Sequence, residues 1–244
     1  MSRRPLELVA GLAVLGLATT GCLPTAAPTT SWRPAWGVAL AFPSRTTEAM
    51  HCRYVTRLAA GGTRVEAELS DPAPATATSS FHVRSVGVAL SSSPAAGTAS
   101  LGALMPLTFR SAAAVTVAAH TRIQSDPLPL VVHAGQSLVI DLAVDPGDAP
   151  SEGIPGEHSD CSPLAGGPLQ TDVGVRWLSG LLVDGAAVRS LAALGDSITE
   201  GLSLPTGGYQ RWTDDLSAAG DDVTNEGVTG GALGRPGVFG SSMV

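Results

Sequence analysis

The sequence contains no lysine; all 14 of its cationic side chains are arginines. Only Arg3 and Arg4 adjoin, in a chain whose formal net charge is −7. A phosphate backbone would find no positive stripe against which to release counterions, which argues against nucleic acid as a partner. Cysteines number three, too few for a dense disulfide framework. Internal repeats are absent, as is any long apolar stripe of helical period between residues 36 and 189. What is present is a hydrophobic fraction of 44%, enough to bury a core and to exclude wholesale disorder.

The first 22 residues read as an export signal. Arg3 and Arg4 form a positive start, and "LVAGLAVLGLA" (8–18) is an apolar run too short to cross about 30 Å of hydrocarbon as a helix. The run ends in "TTGC", where Gly21-Cys22 resembles the end of a bacterial lipobox, although Thr19 stands where such boxes usually carry leucine. Two outcomes stay open: acylation of Cys22, which would anchor the chain to a membrane through lipid alone, or ordinary signal cleavage nearby. Both predict an exported protein, either a cell-surface lipoprotein or a secreted one. Residues 23–35 read as a linker. Outside the membrane cysteines tend to pair, and setting Cys22 aside leaves Cys52 and Cys161 as one candidate bridge. His51 beside Cys52 and His158 near Cys161 lack compact zinc spacing, so no metal site is expected.

Residues 36–189 read as a β-domain, with the jelly-roll kind of antiparallel sandwich as the expected architecture. "HCRYVTRLAA", "GG" and "TRVEAELS" suggest a hairpin turning at Gly61-Gly62. Val65, Ala67 and Leu69 alternate with Arg64, Glu66 and Glu68, the pattern of a half-solvated strand. Further strands are expected in 81–90, 113–120 and 136–144, then a long loop over 146–171, then two closing strands in 173–185.

The register changes at residue 190. "SLAAL" suits a strand buried in a parallel sheet, "GYQRWTDDLSAAG" (208–220) an amphipathic helix, and "DDVTN" (221–225) a second strand. Strand, loop, helix, strand is the opening of an α/β domain. Residues 190–244 hold only that opening, so an incomplete domain is expected. Ser197 follows the first strand directly, where open α/β sheets place ligands. A nucleophilic serine there needs a base and oxyanion donors; the alternative is that Asp196 or Ser197 merely caps a helix or turn.

The string "GDSITEG" (195–201) resembles the first block of the GDSL or SGNH hydrolase superfamily, and "NEGVTGG" (225–231) resembles its second. The β-rich segment is similar to the sandwich that precedes the hydrolase domain in many secreted bacterial members. The resemblance implies a serine ester hydrolase working through an acyl-enzyme, with Ser197 as nucleophile. The N–H groups of Ser197 and Gly230 would form the oxyanion hole, and Gly195, Asp196 and Asn225 would support the motifs. It implies no metal or organic cofactor, and substrates among acetylated polysaccharides, acyl esters or lipids. The family's later Gly-x-Asn-Asp and Asp-x-x-His blocks do not follow Gly231, and His51, His82, His120, His133 and His158 all precede Ser197. This chain is therefore expected to be a C-terminally truncated, inactive member. The competing expectation is a non-catalytic surface lipoprotein whose sandwich binds glycans.

Overall fold

A computed structural model describes residues 31–72, 79–91, 102–151, 158–171, 174–185, 189–202, 204–205 and 208–228. Most of these residues lie in two antiparallel sheets. The first runs β1 (Ser31–Gly37), β14 (Leu178–Gly185), β4 (Gly62–Asp71), β8 (Thr121–Gln124), with β9 (Leu128–Val132) also on β4. The second runs β13 (Gln170–Thr171), β12 (His158–Pro163), β3 (Met50–Arg57), β10 (Ser137–Val144), β5 (Ser80–Leu90), β6 (Met105–Leu107), with β7 (Val115–Ala118) also on β5. A short pair, β2 (Arg45–Thr46) and β11 (Gly147–Asp148), lies apart from both.

Period-two apolar positions from both sheets meet in one core. Val65, Ala67, Leu69, Leu181 and Val183 come from the first sheet; Tyr54, Phe81, Val83, Leu138, Ile140 and Leu142 come from the second. Two large polar side chains carried into this core have partners. The Trp177 indole donates to the Asp148 carbonyl at 2.8 Å, and the Tyr54 hydroxyl accepts from the Arg176 N–H. Burial pushes the Tyr54 phenol far above its ordinary value. Cys52 and Cys161 sit opposite each other on β3 and β12 and are disulfide-bonded.

Several local expectations need correction. Residues 31–35 are not linker but part of β1, paired with β14. No hairpin forms at Gly61-Gly62, because β3 and β4 belong to different sheets. Leu58, Ala59 and Ala60 carry the chain from one sheet to the other, and all three are buried. Nor is β4 half-solvated: it lies inside its sheet, with Glu66 and Glu68 only 7% and 9% exposed. Glu68 is accommodated by the Ser179 hydroxyl at 3.0 Å and the Arg122 guanidinium at 3.3 Å. The expected loop over 146–171 includes β12, which its Gly, Pro and Ser content concealed. Among the described residues, 174–185 supply one strand, not two.

After β14 come β15 (Ser190–Gly195), a helical turn α1 (Ser197–Glu200), helix α2 (Trp212–Ala218) and β16 (Asp222–Gly227). β15 and β16 are parallel and in register from Ser190–Asp222 to Gly195–Gly227, as the strand–helix–strand reading expects. But β15 is not the buried strand expected: only Ala193 is buried and Leu194 is exposed, because β16 is its one partner strand among the described residues. The helix is shorter than the expected 208–220, since Tyr209 has φ 48° and Arg211 is the extended N-cap. This pair is docked on the sandwich. Val38, just past β1, bridges Asn225 in parallel fashion, and Arg33 donates to the buried Asp222 carboxylate at 3.1 Å. Burial raises the Asp222 pKa, with Arg33 opposing it.

Candidate functional site

The parallel register brings the C-terminal ends of β15 and β16 to one edge, and two glycines let α1 lie directly on that edge. A Cβ on Gly195 would overlap Thr199, and one on Gly227 would overlap the Glu200 nitrogen and sit 2.8 Å from the Thr199 carbonyl carbon. The strand-end glycines of both motif blocks therefore do the same job. α1 begins immediately after Asp196, whose side chain caps it by accepting from the Ile198 N–H at 3.0 Å, and it ends at Gly201, φ 98°. Asp196 thus has a structural role that needs no chemistry. Ser197 is the first helical residue, where the N–H lies outside the helix ladder. Ser197 as a whole is half-buried.

Asn225 joins these parts. Its buried side-chain amide donates to the Thr199 carbonyl at 2.6 Å and the Thr213 hydroxyl at 3.1 Å, while its oxygen accepts from the Gly227 N–H at 2.9 Å. One side chain ties the serine-bearing turn, α2 and the end of β16 together. Thr199 and Thr213 were not singled out from sequence; Thr199 sits inside "GDSITEG", whereas nothing in the sequence marks Thr213 as its counterpart.

Ser197 opens onto a depression of about 380 Å³ lined also by Ile198, Gly201, Leu202, Leu204, Gln210, Arg211 and Trp212. The Arg211 guanidinium is held by Asp214, at 3.0 Å from both Nε and Nη2. No histidine or carboxylate is among these lining residues. His51 pairs with Asp141 at 2.8 Å and His82 with Asp145 at 2.7 Å, both on the second sheet of the sandwich. His158 lies on β12 of the same sheet, opposite Val55 of β3. Glu226, on β16, is half-buried; burial raises its pKa, Arg122 opposes and Glu68 adds to the rise.

Residues 1–22, the lipidation candidate Cys22, linker residues 23–30 and the oxyanion candidate Gly230 lie outside the described residues. Ser197, Gly195, Asp196 and Asn225 are brought together at one sheet edge; Cys52 and Cys161 are joined elsewhere, within the sandwich. A scan against protein-family models found no match for this chain, and a search of curated proteins found none either.

Proposed function

We propose that this chain carries the nucleophile of an exported serine ester hydrolase of the GDSL/SGNH type, preceded by a jelly-roll-like β-sandwich. The observation that carries the reading is the Asn225 knot: the second motif block holds the first in place, at the edge where a shared oxyanion hole has to be. Ser197 Oγ attacks the ester carbonyl, the alcohol leaves, and water clears the acyl-enzyme. The N–H groups of Ser197 and Gly230 stabilise the oxyanion. The buried Cys52–Cys161 disulfide supports export to an oxidising compartment. Candidate substrates are carbohydrate, acyl and lipid esters.

The residues lining the Ser197 depression supply no base. Turnover by these 244 residues is therefore expected to be slow, since loss of a triad member leaves only residual catalysis. Added imidazole serves as a soluble base. With p-nitrophenyl acetate it should produce a burst approaching about one p-nitrophenolate per chain, absent in Ser197→Ala. Fast turnover without imidazole, abolished in Ser197→Ala, would also uphold the reading and show that the chain supplies its own base. A rate that never depends on Ser197 overturns it.

A further inference from the structure

Of the exposed large hydrophobic side chains among the described residues, four line the one depression that Ser197 opens onto. Ile198 is 75% exposed, Leu202 49%, Leu204 39% and Trp212 44%. Clustered exposure of this kind marks a surface that takes an apolar partner. The polar side chains of the same wall are few. Arg211 is engaged by Asp214, which leaves Gln210 beside Ser197. A saccharide seated here would bury hydroxyl groups against carbon, and each one left without a hydrogen bond costs binding. An alkyl chain meets no such penalty and gains with each methylene it removes from water.

We propose that the ester accepted at Ser197 carries an apolar acyl chain of medium length, laid along Ile198, Leu202, Leu204 and Trp212. This rests on Ser197 being the nucleophile. In the step concerned, the Ser197 Oγ–acyl carbon bond forms and the acyl carbon–alkoxide bond breaks. The serine proton passes to imidazole, and the alkoxide leaves with the electron pair. Full burial would favour each added methylene about fourfold; an open wall gives about half of that free energy, or about twofold. From butyrate to octanoate the acylation rate should then rise about fifteenfold.

The test compares imidazole-assisted acylation of the whole chain by p-nitrophenyl acetate, butyrate and octanoate. Wild type should accelerate with length, and Ile198→Ser and Leu202→Ser should flatten the series, read as the octanoate-to-acetate ratio within each variant. Val131→Ser, at an exposed position on β9, should leave the series unchanged. Sodium octanoate should shift Trp212 fluorescence, a readout that needs no reaction. Acylation of Ser197 with no length dependence overturns the acyl-chain proposal but spares the nucleophile; no acylation by any ester overturns the nucleophile itself. Dimerisation that hides the wall, seen by sedimentation together with a flat series, would assign it to a second copy instead.

Discussion

Replacing Asn225 with alanine removes three hydrogen bonds at once, and its cost follows from the groups left behind. Each bond contributes about 1 kcal/mol net, and a buried group left unsatisfied costs about 1–3 kcal/mol. The Thr199 carbonyl and the Gly227 N–H would both be orphaned beneath α1. The expected loss is about 3–5 kcal/mol, confined to β15, α1, α2 and β16 because the three side-chain bonds all end within these elements, on Thr199, Thr213 and Gly227. Native-state hydrogen exchange tests this directly. Amides of residues 191–194 and 223–227 should lose about a hundredfold or more in protection, each factor of ten being about 1.4 kcal/mol, while β10 amides keep theirs. Asn225→Asp separates bonding from volume: it has the same shape but cannot donate to Thr199 when ionised, and should fail similarly. Unchanged exchange in the strand pair, or an equal loss across β10, would refute the assignment of Asn225 as the local tie.

Alanine at Gly195 should displace α1 at a cost of about 1–3 kcal/mol, visible as faster exchange across 197–201, because its Cβ cannot share space with Thr199. Serine at Cys52 and Cys161 should lower stability by about 2–5 kcal/mol in urea titrations, and reductant should reproduce the loss in wild type but not in the variant. Asp184 gives a pH dependence. Burial alone would raise its pKa, but hydrogen bonds from Arg64 and Thr63 outweigh that and hold it at about 2, below the ordinary 3.8. A pKa depressed by folding stabilises fully above the unfolded value and loses that contribution as pH falls towards 2. Denaturation midpoints should therefore decline between about pH 4 and 2, and Asp184→Asn should be less stable at pH 7 with a shallower decline.

The parallel strand pair was legible because "SLAAL" and "DDVTN" flank a helix-period segment, and because a parallel pair needs such a crossover. The strand reaches Gly227, two residues past the expected end, because Glu226 and Gly227 continue the pairing with Leu194 and Gly195 of β15. The disulfide was legible by elimination alone; its position opposite β3 was not, because β12 is polar and shows no apolar alternation in sequence. The false hairpin at Gly61-Gly62 shows the limit of local reading. Two strands joined by a short turn can enter different sheets when the linking residues, here Leu58 to Ala60, are apolar enough to cross the core. The burial of Glu66 and Glu68 depends on neighbouring strands and the docked β16, which no periodicity within β4 encodes.

Whether Ser197 is a nucleophile is decided by finding the acyl group. The chain is well suited to this, because it has no lysine and so offers p-nitrophenyl acetate no side-chain amine. Cleavage at Arg189 and Arg211 releases residues 190–211 as one peptide, in which fragment ions separate Ser197 from Ser190 and Ser203. After incubation with the ester and imidazole, the account predicts acetyl on Ser197 ahead of every other serine, and none on that peptide in Ser197→Ala. Acetyl spread evenly over exposed serines such as Ser111, with Ser197 no faster than the rest, would contradict it.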